Sequence, residues 1–200
     1  MQFADMTVNL TANANAKTVS ATQLKAIQEL YIAYFNRTPD ADGLSYWVDQ
    51  LKAGQSITQI GESFYAAAVQ YSSLTGYSAA MTNADFVRVI YKNGLGRSGS
   101  TAPADADVNF WAGKLENGSA TRGSLISTML DSAHSFKGNS TWGWVADLLD
   151  NKVAIANYFA VDNGLNYNSA EDSISKGMAI AVAVTATDTN AAIQLIGIAA

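Results

Sequence analysis

The sequence predicts an all-α protein: a helical bundle of two diverged helix–loop–helix–helix repeats, with an extended N-terminal arm and an apolar C-terminal tail. Three observations predict it. Helix-start signals recur just ahead of apolar residues at helical spacing. Proline occurs only twice and β-branched runs are short. One stretch of the chain is repeated, with its Tyr, Arg, Trp and Gly positions kept.

Residues 1–19 read as an arm. Val8 and Leu10 alternate with polar neighbours, as in a short strand or strap. Ser20-x-x-Gln23 is a capping box, and Leu24, Ile27, Tyr31, Tyr34 and Phe35 follow on one helical face. Thr38-Pro39 reads as a cap before a proline in the first turn. Leu44, Trp47, Val48 and Leu51 continue that helix, and Gly54 is placed to end it. Ser56-x-x-Gln59 opens a third helix carrying Ile57, Ile60, Phe64 and Tyr65. After a looser segment, Asn83 reads as the cap of a helix bearing Phe86, Val89, Ile90 and Tyr91. Later helices are expected at 105–116, 121–136, 142–159 and 170–184, with a last apolar piece at 191–198.

The repeat pairs Tyr31 with Tyr91, Arg37 with Arg97, Tyr46-Trp47 with Phe110-Trp111, Leu51 with Leu115 and Gly54 with Gly118. The second copy carries an insertion between its Arg and its Trp. Neither unit can bury its Trp face alone, so the two are expected to stack. The predicted organisation is an arm at 1–19 and a repeat domain at 20–168. Its units are about 22–70 and 84–136, followed by 141–168. A C-terminal segment at 169–200 completes the chain.

Composition narrows function. With 200 residues, 48% of them hydrophobic, the chain can bury a sizeable core. Charged residues make up only 14% and the net charge is −5, so the chain as a whole offers no basic footprint for nucleic acid. There is no cysteine and a single histidine, which removes thiol chemistry and multi-histidine metal sites. The longest apolar run, 178–184, is too short to cross a bilayer. The N-terminus lacks the pattern of a secretory signal peptide. Asp outnumbers Glu 13 to 4 and Lys is scarce, a composition shared with bacterial surface proteins exported without a cleaved leader.

Several clusters are candidates for chemistry. Asp40, Asp42, Asp105 and Asp107 sit in corresponding loops of the two repeats. Alternating aspartates offer oxygens to Ca²⁺; they equally cap helices and favour their positive ends. Arg37 and Arg97 are expected to clamp these loops. Trp142 and Trp144, preceded by GNST, form a glycan platform, a subunit contact or part of the core. His134 has Asp131 one turn before it, but no nucleophile elbow occurs in the chain, and Gly94–Gly99 lacks the ending of a phosphate loop. The chain is expected not to be an enzyme.

The run R-x-P-D-x-x-G-L-x-Y-W at Arg37–Trp47 resembles an uncharacterised bacterial domain family that recurs in secreted calcium-repeat (RTX) exoproteins and S-layer-associated proteins. The stretch NKVAIANYFAVDNGLNY at 151–167 resembles a segment that often follows it, so the likeness covers roughly 22–168. It implies a helical domain in an extracellular or cell-surface setting, with type I secretion through a C-terminal signal. The helical, O-antigen-anchoring part of some S-layer proteins is similar in character. The glycine–aspartate nonapeptides of such exoproteins are missing here. DTNAAIQLIGIAA, at the C-terminus, fits either such a signal or a packed helix.

The leading expectation is a self-assembling surface-layer or filament subunit. Its contacts would come from Phe3, Val8 and Leu10 in the arm and Ile193, Leu195, Ile196 and Ile198 in the tail, each copy meeting a different patch on the next. The alternative is a module that binds cell-surface glycan or lipopolysaccharide.

Overall fold

The computed structural model describes residues 5–198, so Phe3 lies outside the described residues. The chain is all-α, with eleven α-helices among the described residues and one two-stranded ribbon. Strand β1 (Met6–Val8) leads into a short helix α1 (Ala12–Ala16). The first repeat follows as α2 (Ala21–Phe35), α3 (Ala41–Lys52) and α4 (Ile57–Gln70). After the single turn α5 (Ser72–Thr75), the second repeat is α6 (Asn83–Asn93), α7 (Asp105–Glu116) and α8 (Arg122–His134). Helix α9 (Gly143–Ala156) widens into a π-helical turn at Asn157–Asp162 and leads into β2 (Leu165–Tyr167). Helices α10 (Ala170–Ala183) and α11 (Asn190–Ile196) end the chain.

Local signals set most helix ends. Both capping boxes form: the Ser20 and Ser56 hydroxyls accept from the N–H groups of Gln23 and Gln59, whose side chains return the bond. Gly54 and Gly118 follow the last turns of α3 and α7 in left-handed backbone, at φ +98° and +72°. Two starts differ from expectation. Thr82, not Asn83, caps α6 through the Asp85 N–H. Helix α3 begins at Ala41 rather than at Pro39: the chain stays extended through Asp40, its N-cap, and the Thr38 N–H is bonded to the Gly177 carbonyl.

Helix α2 is the centre of the bundle. From Ile27 to Tyr34 every residue is buried, Gln28 and Glu29 included. Its apolar spacing reads as one-sided, yet α3, α4, α6, α8 and α9 surround it. Gln28 donates to Asn157 at 2.8 Å while its own buried Oε1 is left without a protein partner among the described residues, and Glu29 meets His134 at 2.5 Å. The two repeats join along α4 and α8, where the backbones nearly touch. A Cβ on Gly61 would stand 2.7 Å from the Gly123 carbonyl, and one on Gly123 would stand 2.7 Å from the Glu62 nitrogen. The Glu62 carboxylate accepts the Gly123 N–H at 2.9 Å, at the positive end of α8.

Both ends fold onto their own chain. Strand β1 pairs antiparallel with β2, Met6 opposite Tyr167 and Val8 opposite Leu165. Residues 12–16 of the expected extended arm are helical, and Ala12 and Ala16 are buried beside α3. In the tail Ile196 is 2% exposed, while Ile193 and Ile198 lie half-buried on the core. Of the seven residues expected to meet sister copies, only Leu10 and Leu195 stand largely free, at 78% and 55% exposure; Phe3 is not described.

Lys152 of α9 is buried, and its ammonium donates to the Asn36 side chain at 2.7 Å, at the C-terminus of α2. Burial lowers its pKa from the usual 10.5 to about 8. Between those pH values the unfolded chain holds a proton that the folded chain has released, so this residue makes stability rise with pH from about 8 and leaves it flat below. Burial of Tyr31, which pushes its pKa up to about 12, opposes the rise only above the ordinary tyrosine value of 10. Urea unfolding followed from pH 7 to 10 is expected to show the increase, and Lys152→Met to remove it while raising stability at pH 7.

Candidate functional site

Each repeat builds the same frame from its own residues. In the first, the Arg37 guanidinium lies over the Tyr31 ring, 5.3 Å from its centroid, and Trp47 stands beside them in the lining of one cavity. In the second, Arg97 lies 5.0 Å over Tyr91, with Trp111 beside them in the lining of the other. The Arg N–H returns to the Tyr carbonyl in both, at 3.5 and 2.8 Å. The aromatic residue before each Trp is turned outward: Tyr46 meets Trp47 edge-on at 4.9 Å, and Phe110 meets Trp111 at 5.0 Å. Burial raises the pKa of both framework tyrosines, Tyr31 to about 12.

Beside each frame lies a cavity walled by the third helix of the unit, of about 310 Å³ in the first repeat and about 300 Å³ in the second. Phe64, Ala67 and Tyr71 line the first where Met129, Ser132 and Phe136 line the second. The cavities are related by the repeat, and outside elements finish them differently. Helix α10 closes the first with Ile174 and Met178; the start of α9 closes the second with Trp142 and Val145.

The second cavity is the candidate functional site. Its rim carries Phe110 at 61% exposure and Phe136 at 42%, beside the half-buried Trp111 and Trp142. Trp142 is set by the turn after α8: the Asn139 side chain accepts the Thr141 and Trp142 N–H groups at 2.9 and 3.0 Å. A Cβ on Gly143 would come within 3.3 Å of the Phe136 carbonyl, so this glycine lets the turn close and bring Phe136 and Trp142 to one rim. The Arg97 guanidinium lies 3.9 Å over Trp142, with its Nε donating to the Thr101 carbonyl at 3.0 Å. Asp107 is the carboxylate of the lining, and Ser132 adds a hydroxyl.

The structure divides the residues expected to act together. Trp142 lines this cavity, whereas Trp144, 6.5 Å away ring to ring, packs toward Gly96. Three of the four aspartates expected to bind calcium have other partners, and among the described residues no three acidic or histidine side chains form a group able to hold a metal ion. Asp40 faces Arg37, accepts from the Ser173 hydroxyl and receives the Tyr167 N–H at 3.3 Å. Asp42 accepts from Asn9 at 2.7 Å, and Asp105 pairs with Arg88 at 2.9 Å. The two pairs are also out of step. Aligned on the tryptophans, Asp40 falls on Ala104 and Gly43 on Asp107. Asp40 holds the N-cap position of α3, yet its carboxylate makes no bond to that helix. Asn166 of β2 caps it instead, accepting the Asp42 N–H at 2.7 Å. His134 lies away from both cavities, with Glu29 at one ring nitrogen and Asp150 at the other, 3.5 Å away.

The model of one family matches residues 8–68 and again 70–138, more than half of the chain. The chain belongs to that family, described as Domain of unknown function (DUF4214). Each match spans one three-helix unit together with the short helix before it, so the two cavities belong to two successive DUF4214 units. No curated protein and no solved structure matches the chain.

The cavities escape a reading of single motifs because their third wall comes from α4 or α8. Tyr71 and Phe136 carried the signal: they are aromatic, exposed and repeat-related. Gly43 explains how the two DUF4214 units diverged. A Cβ there would meet the Tyr31 hydroxyl at 2.8 Å, whereas the second unit has Asp107 in that place. Gly43→Ala is expected to be destabilising. Overpacking costs about 1–3 kcal/mol, against the roughly 1 kcal/mol that alanine gains over glycine within a helix. Asp107→Ala should stay within about 0.5 kcal/mol of the parent, as exposed substitutions do; urea unfolding of the two variants checks the contrast.

Proposed function

We propose that the chain is a non-catalytic, extracellular binding module that attaches to cell-surface polysaccharide through the cavity of its second repeat. The observation that carries this reading is the rim: Phe110, Trp111, Phe136 and Trp142 beside the Asp107 carboxylate. A sugar ring has an apolar C–H face that stacks on aromatic rings, and hydroxyls that donate to a carboxylate. Exposed aromatic clusters of this kind mark binding surfaces, and a few placed polar groups then fix orientation. The acidic, lysine-poor composition supports a cell-surface setting.

The test is isothermal titration of bacterial O-polysaccharide and of neutral oligosaccharides into the purified protein. Phe110→Ala, at an exposed position, is expected to weaken binding about tenfold, equivalent to about 1.4 kcal/mol, with unchanged Tm. A panel that gives no saturable heat, or a Phe110→Ala variant that binds like the parent, overturns the reading.

A second reading, self-assembly into a layer or filament, is favoured by Leu10, Val182 and Leu195, which stand exposed in the terminal segments. It predicts particles larger than a monomer by light scattering and electron microscopy, and their loss in a Leu10→Glu, Leu195→Glu double variant. A monodisperse monomer at high protein concentration excludes it.

A further inference from the structure

We infer that the cavity of the first repeat is a separate site for a medium-chain fatty acid. It shares its frame with the second cavity, but its walls have changed character. Where the second repeat places Ser132 the first has Ala67, and α10 and α5 add Ile174, Met178 and Leu74. The floor is a set of touching rings: Phe64 lies 4.9 Å from Tyr31 and 5.0 Å from Trp47. The volume, about 310 Å³, falls in the range of small-ligand sites.

The polar groups of this lining decide the ligand. The Thr75 hydroxyl donates to the Ala68 carbonyl at 2.8 Å, and the Ser173 hydroxyl donates to Asp40. Both are committed inside the protein, so the walls do not suit a sugar. Arg37 is the charged member of the lining, which includes no carboxylate. Arg37 Nη1 donates to the Ser173 hydroxyl at 2.8 Å and stands 4.0 Å from Asp40, at the limit of an ion pair, while Asp40 is also engaged by the Tyr167 N–H and Ser173; a head group would therefore meet the rest of the guanidinium. The surroundings therefore fit an aliphatic tail among rings and methyl groups, with a single anionic head toward Arg37. Exposed Tyr71 and Leu74 edge the opening through which such a chain would enter.

The site is independent of carbohydrate binding and is tested on its own. Decanoate, 1-decanol and decyltrimethylammonium, each below its micelle concentration, are titrated calorimetrically into the full chain. Saturable decanoate binding is expected, with the cationic analogue at least tenfold weaker. Ala67→Leu fills the cavity and should abolish binding, while Ser132→Leu, its counterpart in the second repeat, should not. Leu74→Glu, at an exposed position, sets a negative charge at the opening and should weaken decanoate alone, which keeps the test decisive if Ala67→Leu misfolds. Absence of saturable decanoate binding, equal affinity for the three head groups, capture by phosphatidylcholine vesicles without binding of free decanoate, or Ala67→Leu and Leu74→Glu both binding like the parent overturns the assignment.

Discussion

From Ile27 to Tyr34, α2 has no face left for water, and much of the structure follows from that. A helix buried all round must be enclosed by several others, and here both repeats contribute to the enclosure along with α9. The first repeat alone would leave a side of α2 bare. The cost falls on Gln28 and Glu29, because a polar group taken from water without a partner is destabilising. Asn157 and His134 answer them from outside the first repeat, so the fit of the later elements is polar as well as apolar. Glu29 also faces Lys25, which reaches Asp150 of α9 and extends the network to the surface.

The repeats show what is fixed and what is free in this architecture. The Tyr–Arg–Trp stack recurs with nearly the same ring distances, and so does the backbone bond from Arg to Tyr. That stack closes the loop between the first two helices of a unit, and later elements then engage its arginines, Ser173 at Arg37 and Trp142 at Arg97. The wall facing it is supplied by whichever helix arrives later, α10 in one unit and α9 in the other. One frame therefore gives two cavities with different linings, and divergence at Ala67 and Ser132, or at Gly43 and Asp107, leaves the stack intact.

How much was legible in the sequence follows the same division. Capping boxes at Ser20 and Ser56, the glycine stops at Gly54 and Gly118 and the pairing of the tryptophans depend on neighbours within a few residues, and all form as read. The β1–β2 ribbon does not announce itself, since each strand has three residues and its partner lies at the other end of the chain. The cap of α3 was misread for a related reason. Asp40 is the right residue type in the right place, but its carboxylate is drawn to Tyr167 and Ser173, and Asn166 satisfies the helix instead. The two aspartate pairs are out of register, because the same Asp-x-Asp spacing begins one residue later in the second repeat, which sets Asp107 where the first repeat requires glycine. The candidate site was half legible: Trp142 was singled out, while Phe110 and Phe136 became visible only when α7, α8 and the turn before α9 met.

Two kinds of exposed apolar surface compete to explain what the molecule does. The terminal residues are apolar largely because they cover the body: Ile196 is buried, Val8 sits in the ribbon, and Ile193 and Ile198 rest on the core. Covering the body accounts for these residues, though not for Leu10 and Leu195, which stand exposed. The rim aromatics are not accounted for in that way. Tyr46 and Phe110 are both outward-facing and both edge-on to a tryptophan, and Tyr71 and Phe136 both stand exposed at a cavity mouth. Leaving such rings in water does nothing for stability, yet aromatic side chains stand there in both copies, although the walls between them have diverged. The Tyr–Arg–Trp part of each wall is kept for its stacking, whereas the outward rings are kept without stacking on the core. Exposed rings retained in both units, beside third-helix wall positions that differ at Ala67 and Ser132, are the pattern expected when the rims meet something outside the chain.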